Sequence, residues 1–327
     1  GSDPKCQAID AAALGGMATF VAAGNDGNQN RHRMSTIAPS STSNFFYTVN
    51  ATGAYTGTET LLLTWQDNAP ADLNITLTCT NLAVGETFTE VFSGTSPRNT
   101  ESVVYELVCN FAAAGSKAYN LPMSNAAVTG STPLAHVYEL GSGVSSSTLS
   151  GTTNVYTITS PALADQAICV GAWTHRTSAV NFAGTTWTTP SETLNTLSSF
   201  SSRGPRIDGA IYPTIVAPGT RLISLRGPLA VSGTLRMDND GINDGLGPAD
   251  YVASQGTSMA SPHAAGIGAL MVQANPAITV AGIRLGLQLA AEFPATPDSQ
   301  RGYGVPNAKV AVLEAAGLTV NEWEIRE

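Results

Sequence analysis

The segment Gly256-Thr257-Ser258-Met259-Ala260-Ser261-Pro262-His263-Ala264-Ala265-Gly266 constrains this chain more than any other. Two glycines frame a hydroxyl-rich turn, and small apolar residues run on at helical spacing to Ala269-Leu270-Met271. The pattern predicts a turn feeding a buried helix, with Ser258 at or beside its N-terminus. Free N–H groups and the positive dipole end of a helix favour negative charge at that point. An acyl-transfer transition state develops such charge on an oxygen beside an attacking serine. Read alone, a buried small-residue helix with a serine cap explains the same residues.

Composition narrows the class. The 327 residues leave room for a sizeable core and two domains. The net charge of −9 comes from 15 Lys+Arg against 24 Asp+Glu, with no basic run, which argues against a nucleic-acid or anionic-membrane partner. No apolar stretch approaches the ~20 residues of a membrane span. Only 12% of residues are charged, and Ser, Thr, Asn, Gly and Ala abound, as suits an extracellular hydrolase rich in β-turns. Cys6, Cys79, Cys109 and Cys169 lack metal-ligand spacing, and their even number in this composition favours disulfides. Cys79 and Cys109 share the β-rich middle of the chain and are the leading pair, worth ~3–4 kcal/mol by chain entropy. Cys6 and Cys169 pair with each other, pair with another chain, or stay as buried thiols.

Two textures alternate along the chain. A short helix over 5–17 ends at Gly15-Gly16, and Met17 to Ala23 is a continuous apolar run closing on Gly24-Asn25-Asp26-Gly27. Helix, buried strand and Gly/Asn turn make a parallel α/β unit, whose ligands sit at the carboxyl ends of the strands. Asn25 is thus placed to donate its amide to a bound oxygen, although Asn is also ordinary in such a turn. Residues 44–160 read instead as an antiparallel β-sandwich, with strands at 46–49, 60–65, 73–78 and 103–108 between Gly, Pro, Asn and Ser clusters. The α/β texture returns at Ser160-Pro161 and Ile168 to Ala172, continues through Ile215-Val216-Ala217-Pro218-Gly219, and adds a helix over 280–291.

These landmarks together resemble the subtilisin-like serine proteases. The eleven residues of the serine segment match that family's nucleophile motif, and Ala22-Ala23-Gly24-Asn25 its oxyanion-hole segment. Phe200-Ser201-Ser202-Arg203-Gly204-Pro205, Ala217-Pro218-Gly219 and Gly302-Tyr303-Gly304-Val305-Pro306-Asn307-Ala308 follow in the family's order. The resemblance assigns Ser258 as nucleophile, Asn25 as oxyanion donor and Ala22, Ala23 and Gly24 as a wall of the pocket for the P1 side chain of a peptide substrate. It makes Ser261 and His263 structural. The implied fold is α/β: residues 1–43 and 161–327 form the C-terminal part of a subtilisin-like parallel-sheet domain, and 44–160 an inserted sandwich. The run from Leu63 to Ile75 resembles the jelly-roll modules of secreted proteases.

Two features remain open on the sequence. Asp238, Asp240 and Asp244 alternate around Gly241 and Gly245, which suits oxygen ligation of a structural calcium or simply an acidic surface turn. In subtilases the catalytic aspartate and histidine precede the oxyanion asparagine, yet only 24 residues precede Asn25 and none is histidine. His32 and His175 both follow it. The leading expectation is therefore the C-terminal chain of a processed two-chain endopeptidase, partnered by an N-terminal chain or fragment bearing Asp and His. A sequence starting mid-domain, with Gly1-Ser2 as an added remnant, is a second reading. A catalytically inactive pseudo-protease, or a binding or structural protein using the sandwich, is the third.

Overall fold

A computed structural model describes residues 3–66, 73–75, 78–79, 87–95, 100–125, 132–142, 146–181, 184–227 and 251–318. The chain divides into two compact units, Asp3–Asn28 together with the chain from Val155 onward, and Gln29–Asn154.

The first unit is α/β. Helix α1, Pro4–Leu14, starts where Asp3 accepts hydrogen bonds from the N–H groups of Lys5 and Cys6 and Pro4 occupies the first turn. The Phe20–Ala22 strand pairs in parallel with Ile168–Thr174, in the register Phe20↔Ile168 and Ala22↔Val170. Ile168–Thr174 pairs in parallel on its other side with Ile215–Pro218, and its end pairs antiparallel with Thr196–Leu197. This central strand is buried along almost its whole length, as its unbroken apolar run requires of a strand covered on both faces.

Side-chain alternation splits that burial. Ile168, Val170 and Ala172 face a core shared with Ala260, Ala264, Met271, Ile283 and Leu287, while Cys169 faces Ala23, Ile158, Ala162 and Tyr212. The first core is roofed by α2 (Thr257–Ala274), α3 (Val280–Leu289) and α4 (Ala308–Ala315). Small residues let α2 lie close to the sheet: a Cβ on Gly268 would meet the Phe20 ring at 2.5 Å. Thr279 and Asn307 cap α3 and α4 by accepting from Gly282 N–H and Val310 N–H.

The second unit holds two antiparallel sheets. Among the described residues the first runs in the spatial order His32–Thr36, Leu134–Ser142, Tyr55–Gln66, Thr100–Phe111, Thr87–Thr95. The second runs Ser146–Leu149, Thr42–Ala51, Gly115–Asn125, Leu73–Ile75, with Thr78–Cys79 also on Gly115–Asn125. Leu61, Leu63, Tyr105 and Leu107 of the first sheet share one core with Phe45, Tyr47, Val49, Leu121 and Met123 of the second. A polar contact is buried among them, the Tyr47 hydroxyl donating to Glu59 at 2.8 Å. His32 opens a strand that stands at the edge of the first sheet among the described residues, and its partner lies about a hundred residues downstream.

Among the described residues no disulfide forms, and the expected Cys79–Cys109 pair lies partly outside them. Cys6 and Cys169 are buried in separate clusters, Cys6 with Ala164 and Ala167 and Cys169 with Ala23 and Tyr212. The Cys109 thiol lies 3.2 Å from the Tyr119 hydroxyl, and the side chain of Cys79 falls outside the described residues. Among the described residues, no helix is long and apolar enough to cross a membrane.

Candidate active site

The site is built at the N-terminus of α2. Gly256 precedes the helix at φ 145°, a conformation that side-chain-bearing residues rarely adopt, and its N–H donates to Gly219 O at 2.8 Å. Gly219 ends the Ala-Pro-Gly segment against the central strand, where a Cβ would meet Ala172 at 2.5 Å. Thr257 is the first helical residue and Ser258 the second, the former buried and the latter exposed. The Thr257 N–H is taken by Asn25, and the Met259 and Ala260 N–H groups by Gly256 O. The Ser258 N–H has no partner among the described residues and lies at the positive end of the helix. Pro262 has no N–H to give the Ser258 carbonyl, and the helix continues past it.

Asn25 reaches the same place from the end of the Phe20–Ala22 strand. The Ala23 N–H extends the parallel pairing to Val170 O, and Gly24 turns the chain at φ 110°. Asn25 Oδ1 then accepts twice from Thr257, from the backbone N–H at 3.0 Å and from Oγ1 at 3.1 Å. Because the Thr257 N–H can only donate, the facing atom must be the amide oxygen, and Nδ2 is left as a donor on the other side. A point at the absent Cβ of Gly256 is 3.5 Å from Asn25 Nδ2 and 3.7 Å from Ser258 N. Two N–H donors thus border one space beside the exposed serine, and the glycine keeps that space clear.

Thr257, visible in the sequence only as part of the motif, closes this arrangement. Its Oγ1 also accepts from the Gly24 N–H at 3.2 Å, so one hydroxyl spans the turn and the helix. Of the three residues assigned by resemblance to a pocket wall, Ala22 and Gly24 are partly exposed. The Ala23 methyl is wholly buried, and its carbonyl accepts from Thr159 N–H at 3.0 Å. Thr159 lies directly against Gly24, where a Cβ would come within 2.6 Å of its hydroxyl.

The histidines of this unit are placed otherwise. His263 is exposed one turn along α2, and its Nδ1–H donates to Met259 O at 2.9 Å. His175 follows the central strand, its backbone N–H bonded to Thr220 Oγ1 at 3.2 Å and its Nδ1 buried without a partner among the described residues. Burial first, then the charges of Arg176 and His263, hold the His175 imidazole below its ordinary range. In the β unit His32 Nε2 and His136 Nδ1 are 3.0 Å apart, and burial together with His32 pushes His136 down to about 3. Among the described residues no histidine nitrogen is hydrogen-bonded to Ser258. The candidate calcium ligands Asp238, Asp240 and Asp244 lie outside the described residues, between the paired strands Leu222–Leu225 and Tyr251–Ser254.

The model of the subtilase family matches residues 150–304. The serine protease AprX of Bacillus subtilis is 38% identical over 123 residues, covering 38% of this chain and 24% of AprX. The halolysin-like extracellular serine protease Nep of Natrialba magadii is 33% identical over 117 residues, covering 36% of this chain and 17% of Nep. The match therefore spans a quarter or less of either relative's length. The structure of the CspB protease of Clostridium perfringens superposes with a TM-score of 0.61 at 20% identity, over 91% of this chain and 60% of that one, and so shares its fold. The stretch that carries Ser258 at the head of its helix is thus the part of this chain that is similar to the subtilase family.

Proposed function

We propose that this chain carries the nucleophile and the oxyanion hole of a serine endopeptidase acting outside the cell. The observation that carries the reading is the convergence of Asn25 Nδ2 and Ser258 N–H on the space beside Gly256. Ser258 Oγ attacks a peptide carbonyl there as its proton passes to a base, and both N–H groups stabilise the oxyanion of the tetrahedral intermediate. The C–N bond breaks as the amine takes that proton, and water then hydrolyses the acyl-enzyme to the free acid. Ala22 and Gly24 border the P1 side chain. The extracellular assignment draws on the low charge of the chain and on its likeness to Nep, an extracellular protease by name. The Gln29–Asn154 unit is read as an antiparallel sandwich inserted into the catalytic domain.

A serine hydroxyl needs a base within hydrogen-bond reach. His263 is committed to Met259 O, and His175 is held by its backbone at Thr220. We infer that the catalytic aspartate and histidine come from another segment or chain that assembles with this one. The Phe20–Ala22 strand supports that partner, since among the described residues it is paired on one side only. Its other edge offers unpaired backbone groups to a further strand.

Labelling with a fluorophosphonate serine probe tests the reading. The 327-residue chain alone should label poorly, because losing the histidine of subtilisin costs ~2 × 10⁶ in kcat. Co-folded with an Asp/His-bearing segment it should label and hydrolyse peptides, and Ser258→Ala should abolish both. Rapid labelling of the chain alone would place the base within it, and an unlabelled assembled protein would remove the protease reading.

A further inference from the structure

The turn that carries Asn25 is held from a side that takes no part in the chemistry. Ser202 is fully buried and brackets Asn25 with two hydrogen bonds. Its N–H donates to Gly24 O at 2.9 Å, and its Oγ accepts from Asp26 N–H at 3.0 Å. One residue further out, the Gly27 N–H donates to Phe200 O at 3.0 Å. The fit is close: a Cβ on Gly24 would fall 2.8 Å from Ser202 Oγ, and one on Gly27 would fall 2.0 Å from Ser201 O. The residues before and after Asn25 are therefore both fixed to Ser202, while the Asn25 side chain is free to engage Thr257.

We propose that Ser202 is a positioning residue of the oxyanion hole, its hydroxyl setting the turn so that Asn25 Nδ2 meets the developing oxyanion. This rests on the protease reading above. The backbone bond from Ser202 N–H would survive any substitution, so what is assigned to the serine itself is the Oγ···H–N contact with Asp26. Without that acceptor the Asp26 amide loses its partner at a part-buried site, and the plane of the Asn25 turn is no longer fixed on that side. Donor placement matters most in the transition state, because the hydrogen bonds that accelerate the reaction are those aimed at charge as it forms.

The test compares wild type, Ser202→Ala, Asn25→Ala and the double variant in the assembled, peptide-hydrolysing protein. Ser202→Ala should lower kcat about tenfold with KM nearly unchanged, well short of the ~10²–10³ expected from removing the donor itself. In the Asn25→Ala background the same change should have little further effect, since Ser202 acts through Asn25. It should also weaken inhibition by a peptide boronate, a mimic of the tetrahedral intermediate, by about the same tenfold. A full tenfold loss in the Asn25→Ala background, or an unchanged kcat in Ser202→Ala, would overturn the role of Ser202 and leave the protease reading standing. An inactive wild-type assembly would overturn both.

Amide hydrogen exchange on the 327-residue chain supplies a reading independent of activity. Ser202→Ala should expose the Asp26 N–H to exchange while the Gly27 N–H, bonded to Phe200 O, stays protected. Equal loss at both amides would mean the variant unfolds the turn as a whole, and positioning by the hydroxyl would be rejected.

Discussion

Asn25 and Thr257, 232 positions apart in the sequence, are joined by two hydrogen bonds that converge on a single amide oxygen. The double bond fixes which end of the asparagine amide faces the space beside Ser258. Asn25→Ala in the assembled enzyme should therefore cut kcat by ~10²–10³, the magnitude established for subtilisin itself, and leave KM almost unchanged. Steady-state kinetics with a peptide substrate decide it. A larger KM at normal kcat would assign Asn25 to substrate binding instead.

Thr257→Val keeps the backbone N–H to Asn25 and the β-branched shape but removes the hydroxyl shared between Asn25 Oδ1 and Gly24 N–H. A net hydrogen bond is worth about 0.5–1.5 kcal/mol, so a fall in kcat of up to about tenfold is expected. Thr257→Ser should restore most of it. Equal activity in the valine and serine variants would show that the hydroxyl is unimportant.

Gly256→Ala addresses the space itself. The new methyl would lie 3.5 Å from Asn25 Nδ2 and 3.7 Å from Ser258 N, in the space proposed for the oxyanion. The backbone at φ 145° adds strain on the order of 1–3 kcal/mol. Loss of turnover together with a lower melting temperature is expected. A fully active, equally stable variant would place the oxyanion elsewhere.

How much of this could be read in advance depends on the range of the interaction. The α2 helix, the Gly24-Asn25 turn and the central strand were legible because small-residue helical spacing and an unbroken apolar run are local signals. The links from Thr257 and Ser202 to the Asn25 turn were not, since each spans well over a hundred residues. The His32–Thr36 edge strand was hidden for the same reason, its partner being Leu134–Ser142. For Cys6 and Cys169 the sequence left several outcomes open because an even count says nothing about burial; they belong to separate hydrophobic clusters.

Those two thiols should be inert in the native protein. Burial pushes the Cys6 thiol up to about 11 and the Cys169 thiol higher still, so neither forms a thiolate at ordinary pH. A thiol reagent at pH 8 should leave both unmodified until denaturant is added, and peptide mapping should then find both labelled. Reaction should appear in the folded protein only as the pH nears that of Cys6 ionisation. Prompt native labelling of Cys6 would show that it is accessible, and would reopen a covalent link through it to another chain.

Calcium binding by Asp238, Asp240 and Asp244 remains a proposal with a direct thermal test. If the loop is a site, millimolar-scale calcium should raise the melting temperature by mass action, and replacing the three residues with Asn should remove the effect. Identical melting with calcium and with chelator would identify an acidic turn.

The bond from Thr159 N–H to Ala23 O carries a consequence for how such a chain can change over time. It ties the backbone just before Asn28 to the backbone just after Val155, within the same α/β unit. The chain leaves this unit after Asn28 and re-enters it at Val155, so the exit and the return lie within about five residues of one hydrogen-bonded pair. The entropic cost of such a detour grows only by about 0.6 kcal/mol for each doubling of its length. A change of length between Gln29 and Asn154 should therefore leave the Thr159–Ala23 bond, and with it the turn that carries Asn25, in place.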